Sequence, residues 1–163
     1  AGNANSQYFL ARIYEEGLGT QKNISQARYW YEKAAQKGND EAQLKFGLLN
    51  LAIQNYSQTF TWLKKAANQG NKEAQIHLGI LYTNGIGVPQ DDEKALFWWK
   101  KAADQGDAIT QFNVGTMYFQ GKGTAQNYKD ALNWFEKAAQ QGHISAQVNL
   151  GIMYVNGLGT SKD

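Results

Sequence analysis

The stretch 70–106, GNKEAQIHLGILYTNGIGVPQDDEKALFWWKKAADQG, holds two amphipathic segments joined by a glycine-rich break. The first starts after Asn71 and carries Ala74, Leu78, Leu81 and Tyr82, with Gly79 inside it. The second opens at Asp91 and carries Ala95, Trp98, Trp99, Ala102 and Ala103 before Gly106. Apolar residues return every three or four positions in both, which is helical spacing. Asp91 is a cap that accepts hydrogen bonds from free amides, and Gly106 is a residue able to take positive φ at a helix end. The break, Gly85-x-Gly87-x-Pro89, reads as a turn between two helices.

Outward from this stretch the same pattern recurs. The closing glycines Gly2, Gly38, Gly70, Gly106 and Gly142 are spaced by 36, 32, 36 and 36 residues. A period of this size predicts stacked two-helix units, at 2–38, 38–70, 70–106, 106–142 and a partial 142–163. In the first unit Asn23 is the expected cap, with Gln26 completing a capping box. The second unit lacks the Gly-x-Gly loop and has Asn50 where the others have tyrosine. A longer, more apolar first helix is expected there, turning tightly near Asn55, with a change in superhelical curvature. Asp163 aligns with Asn127, so the sequence is expected to stop at the cap of a missing helix and to be part of a longer array.

These residues resemble the Sel1-like repeat family, relatives of tetratricopeptide repeats. The pattern A-x-x-x-L-G-x-x-Y-x-x-G-x-G, then K-A-x-x-W-x-x-K-A-A-x-x-G, stands as Ala74, Leu78, Gly79, Tyr82, Gly85, Gly87, Lys94, Ala95, Trp98, Lys101, Ala102, Ala103 and Gly106. The resemblance implies an all-α, right-handed solenoid superhelix of antiparallel helix-turn-helix repeats. It also implies a bacterial scaffold for protein–protein interaction, periplasmic or secreted. A disulfide-rich secreted branch of that family is excluded, since the chain has no cysteine.

Composition sets further bounds. The 163 residues carry 16 basic and 14 acidic side chains, a balance that predicts neither nucleic-acid nor anionic-membrane binding. No apolar run approaches the roughly 20 residues of a membrane span, and AGNANSQYF has no signal-peptide pattern. Lys33, Lys37, Lys64, Lys65, Lys100, Lys101 and Lys137 fall where a cation meets the negative end of a helix.

The recurring residues read as mechanical. Gly47, Gly79, Gly115 and Gly151 cost about 1 kcal/mol each relative to alanine inside a helix, which implies close approach of a neighbour; Ala11 fills that slot in the first unit. Trp30, Trp62, Trp98 and Trp134 read as core. Burying about 200 Å² of indole at about 25 cal/mol per Å² stabilises by at most about 5 kcal/mol. Gln7, Gln43, Gln75, Gln111 and Gln147 fit either a backbone bond between units or a ligand contact. The loop 121–124, GKGT, is not a P-loop, because that motif needs a preceding strand and a different glycine spacing. His77 and His143 lack metal-ligand spacing, with His143 expected to cap a helix. No nucleophile–base pair emerges, so no catalytic residue, metal or cofactor is predicted.

Function is expected where the repeats differ. Positions i, i+3 and i+7 of the first helices share a face, here Phe9, Arg12 and Glu16; Lys45 and Leu48; His77, Ile80 and Asn84; Asn113, Thr116 and Gln120; Asn149 and Ile152. The resemblance implies that first helices line the concave side, and this strip of amides and isolated apolar groups suits an extended peptide or partner helix bound to a monomeric, non-enzymatic scaffold. Two alternatives are a cell-envelope glycan or peptidoglycan module using Phe9, Tyr56 or Phe119, and an envelope hydrolase dependent on His77.

Overall fold

A computed structural model describes residues 2–160. Among them are nine α-helices and no strand: α1 Ala4–Glu16, α2 Ile24–Gln36, α3 Asp40–Ala52, α4 Tyr56–Asn68, α5 Lys72–Asn84, α6 Asp92–Ala103, α7 Ala108–Gln120, α8 Tyr128–Gln140 and α9 Ile144–Val155. The fold is an all-α solenoid of helix pairs, the odd-numbered helices being the first of each pair. Contacts divide the chain into two compact units, 1–78 and 79–163, and α5 contributes to both. The predicted role of Asp163 lies outside the described residues.

Helix boundaries follow from the side chains at their ends. Asn23 Oδ1 accepts from the Gln26 amide at 3.0 Å, and Asp91 Oδ1 from the Lys94 amide at 2.9 Å. The capping box at Asn23 is not closed from its other side, because the Asn23 amide donates to the Tyr14 carbonyl at 2.8 Å. The same bond runs from Asp91 to Tyr82 and from Asn127 to Tyr118, each at 3.0 Å. This bond fixes the return of the chain after each glycine loop.

At the opposite ends, Gly38, Gly70, Gly106 and Gly142 have φ of 92°, 96°, 91° and 84°. That left-handed turn lets the next residue's amide reach back into the last helical turn: Asn39 to Ala34 at 3.2 Å, Asn71 to Ala66 and His143 to Ala138 at 3.1 Å. Asn39, Asn71 and His143 then cap the following helix with their side chains. One residue therefore ends one helix and begins another, and only the glycine's missing Cβ makes so short a link cheap.

The second repeat departs from expectation in one respect. Its first helix, α3, has 13 residues, as α1, α5 and α7 do, and is not longer. The closing bond survives the loss of the loop, since the Asn55 amide donates to the Asn50 carbonyl at 2.9 Å. Gln54 supplies the left-handed turn, at φ 58°. Asn50 is fully buried and satisfied, donating to the Phe46 carbonyl at 2.7 Å and accepting from Arg28 Nη2 at 3.0 Å.

Small residues on first helices set the spacing within a pair. A Cβ at Gly47 would lie 3.0 Å from the Leu63 side chain, one at Gly79 2.7 Å from Trp99, and one at Gly115 2.7 Å from Phe135. Gly151 differs from the other three: nothing among the described residues lies within 4 Å of that position. Trp62, Trp98 and Trp134 are buried, whereas Trp30 is only partly so. In three repeats the more deeply buried second-helix residue is the one after the tryptophan, namely Tyr31, Leu63 and Phe135, whereas Trp98 is buried more deeply than Trp99. Lys65 lies 4.0 Å over the Trp62 ring and Lys137 4.1 Å over Trp134, a cation–π role beyond the helix-end role read from sequence.

The glutamine series bonds backbone. Gln43 Nε2 donates to the Ala35 carbonyl at 3.1 Å, Gln75 to Ala67 at 3.1 Å, Gln111 to Ala103 at 3.2 Å and Gln147 to Ala139 at 3.3 Å. Their oxygens take a second glutamine: Gln69 Nε2 donates to Gln43 Oε1 at 2.8 Å and Gln141 Nε2 to Gln111 Oε1 at 2.7 Å. The first repeat has Lys37 in the donor's place, and it bonds the Gly2 carbonyl at 2.6 Å. Gln7 Oε1 is left buried without a partner. Gln69 serves both acceptors, since it also donates to the Gly38 carbonyl at 3.1 Å. Lys37→Gln is therefore expected to stabilise the protein by about 1 kcal/mol. Thermal unfolding should shift upward by about 2–4 °C, and an unchanged or lowered midpoint would show that water already satisfies Gln7.

Candidate partner-binding cleft

The sequence-predicted first-helix positions have different fates. On α1, Phe9 is 58% exposed and Arg12 is tied to Glu16 by a 2.8 Å ion pair. Lys45 and Leu48 on α3 are half-buried. His77 is half-buried too, with Nε2 3.9 Å from Glu73 Oε1. Burial pushes its imidazole below the usual pKa and Glu73 opposes this only in part, so the ring is neutral near pH 7. Ile80 is half-buried, and its carbonyl accepts from Asn84 Nδ2 at 3.0 Å. Asn149 is half-buried and Ile152 exposed on α9. His143 caps α9 through Nδ1, as expected, and stacks on Phe112 with ring centres 4.6 Å apart.

The remaining three, Asn113, Thr116 and Gln120, come together in a cleft of about 280 Å³ within residues 79–163. Its other lining residues are Thr83 from α5, Asp92 and Trp99 from α6, Met117 from α7 and Lys122 from the following loop. Sequence reasoning had confined the search to first helices, so it passed over Trp99, Asp92 and Lys122. The available signal was departure from the repeat: Thr83 aligns with Phe119, Asp92 with Tyr128, and Lys122 with Ile86.

Repeat packing builds this cleft. Gly79 lets the Trp99 indole press against α5, and Trp99 Nε1 then lies 3.5 Å from Thr83 Oγ1. The hydroxyl protons of Thr83 and Thr116 are committed to the carbonyls of Gly79 and Phe112, at 2.8 and 3.0 Å. Each oxygen keeps acceptor capacity toward the cleft. Lys122 lies between Gly121 and Gly123, at φ 70° and 71°, and Gly123 sits directly against the Asp92 carbonyl. Among the described residues, the side chains of Asn113, Gln120, Asp92 and Lys122 have no hydrogen-bond or ion-pair partner. The cleft thus combines an aromatic wall, two uncommitted amides and two opposite charges with no ion pair between them. No group of His, Asp or Glu among the described residues could hold a metal ion, and no helix among them is long and apolar enough to cross a membrane.

Comparison with known proteins places these features in a family. The Sel1 repeat pattern matches residues 4–39, 42–71, 72–107, 108–143 and 144–163. A protective antigen of uropathogenic Escherichia coli with an SLR fold is similar over 98% of this chain and 35% of its own, with 32% identity and a TM-score of 0.89. A Sel1 repeat protein from Oxalobacter formigenes is similar over 99% of this chain and 68% of its own, with 30% identity and a TM-score of 0.86. Chitin synthase regulatory factor 4 of Schizosaccharomyces pombe shares 41% identity over 54 residues, 33% of this chain. The chain spans only 8% of the length of that curated relative. Sel1 repeat proteins are generally scaffolds for protein interaction and generally non-enzymatic. With the repeat pattern running through nearly its whole length, this chain belongs to the Sel1 repeat family.

Proposed function

We propose that the chain is a non-enzymatic scaffold that docks an extended protein segment on its first-helix faces, anchored at the cleft of Asn113, Thr116 and Gln120. The observation that carries this is the pair of uncommitted amides, half-buried Asn113 and exposed Gln120, beside a half-buried indole. A carboxamide offers two donors and an acceptor, the complement of a peptide backbone. Asn84, at the position of Gln120, instead bonds its own helix, and the buried glutamines bond the preceding one. Two free amides that share one cleft with an indole are available to a partner.

A photo-crosslinking amino acid at Thr116, with the protein in its native cell, tests the placement. A protease-sensitive adduct is expected there and not with the same group at Phe97, which is 53% exposed on α6. Equal crosslinking at both positions, or an adduct that survives proteinase digestion, would remove the cleft as the protein-docking site.

A further inference from the structure

We propose that the cleft also selects by charge: it takes an extended segment with a basic side chain paired to Asp92 beside Trp99, and an acidic side chain two residues away paired to Lys122. This rests on the docking reading above and goes further by naming the segment's chemistry. Asp92 and Lys122 both line the cleft, yet no ion pair joins them. Gly121 and Gly123 fix the loop that bears Lys122, and Gly123 packs directly on the backbone of Asp92, so the loop and the start of α6 present the two charges at one cleft. Opposite charges left unpaired across a half-open cleft favour a ligand that presents the two complementary charges in the matching order.

The lining decides which side chain enters. The indole and the carboxylate lie two turns apart on α6, so a basic side chain bonds the carboxylate with its charged end while the segment beside it lies along the indole. Trp62 and Trp134 each already hold a lysine over the ring, whereas no cation lies over Trp99 among the described residues. A volume of about 280 Å³ is at the low end for ligand sites, which run to roughly 300–1,000 Å³. It suits one inserted side chain better than a folded partner surface. In an extended segment, side chains two residues apart share a face, so the second charge stays at the mouth, where Lys122 is exposed.

Titration of the whole chain with the synthetic hexapeptides GARAEG, GAEARG and GAQAQG tests this. The probes are the Trp99 indole N–H resonance, assigned through Trp99→Phe, and the side-chain amide resonances of Asn113 and Gln120. One of the two mixed-charge orders is expected to bind about ten-fold more tightly than GAQAQG. Asp92→Asn and Lys122→Gln should each reduce that advantage about three- to five-fold, consistent with partly exposed ion pairs. The swap Asp92→Lys with Lys122→Glu should invert the preferred order, with circular dichroism confirming the fold. Equal shifts with all three peptides would overturn charge selection while leaving backbone docking intact. Movement of the Trp99 signal by N-acetylglucosamine and by no peptide would overturn the proposal in favour of a saccharide. Silence from every probe would overturn it as well, and the crosslinking result at Thr116 would then judge docking separately.

Discussion

Phe135→Ala is expected to cost about 3–5 kcal/mol, the range for emptying a well-packed aromatic site. Phe135 is 1% exposed, and its ring is the surface that the missing Cβ of Gly115 makes room for. The two positions should therefore be coupled. In the native background Gly115→Ala puts a Cβ 2.7 Å from the Phe135 ring, so either the ring or α7 must move. Overpacking of that kind costs about 1–3 kcal/mol, which outweighs the gain of about 1 kcal/mol in helix propensity. With Phe135 already removed, the nearest remaining neighbour is the Ala131 carbonyl oxygen at 3.3 Å, which a shift of a few tenths of an ångström relieves at less cost than the propensity gain. Gly115→Ala should then be neutral or stabilising. Urea unfolding of the four proteins measures this as a change of sign. If Gly115→Ala had the same effect in both backgrounds, the close approach would not be what holds glycine at that position.

The same pair shows how far the sequence alone could be read. A glycine recurring inside amphipathic helices signalled a close neighbour, and at Gly47, Gly79 and Gly115 there is one. Which neighbour was not legible, because Trp98 and Trp99, or Trp134 and Phe135, are adjacent on a helix and both apolar. Periodicity marks a face, and it does not decide which of two neighbouring residues lies at its centre. Helix ends were legible because Asn, Asp and Gly act through local geometry. The length of α3 was not, since it depends on a bond from the Asn55 amide that survives when the glycine loop is lost. The glutamines were ambiguous for a similar reason: a buried amide has the same signature whether its partner is backbone or ligand, and only distance separates the two.

Three of the eight residues lining the candidate site were legible. Asn113, Thr116 and Gln120 lie on the first-helix face where spacing put them, but the wall and both charges come from a second helix and a loop. A cleft assembled from three helices and a loop has no single periodicity. Its trace in the sequence is a set of exceptions, at Thr83, Asp92 and Lys122, to positions that are apolar or aromatic in the next or previous repeat. Each exception taken alone is an ordinary surface residue. Their meaning appears only when packing brings them within one volume.

Packing at the second glycine of the loop carries the other large effect. Gly123→Ala is expected to destabilise by about 3–5 kcal/mol, and Gly19→Ala, at the corresponding place in the first repeat, by only about 1–2 kcal/mol. The two glycines have nearly the same backbone, φ 71° and 70°, so the cost of a Cβ in the left-handed region is common to both. Their surroundings differ. Nothing lies within 4 Å of a Cβ built on Gly19, whereas one on Gly123 would collide with the Asp92 carbonyl and lie 3.0 Å from the Glu93 amide. Those are backbone atoms in the first turn of α6, so no rotamer change can relieve the contact. The loop would have to lift from α6, carrying Lys122 away from Asp92 and opening the cleft. Urea midpoints should therefore fall further for Gly123→Ala than for Gly19→Ala, with the indole resonance of Trp99 displaced only in the former. Equal midpoints for the two variants would mean that glycine is required there for its backbone angle alone, and that the loop does not lock one repeat onto the helix before it.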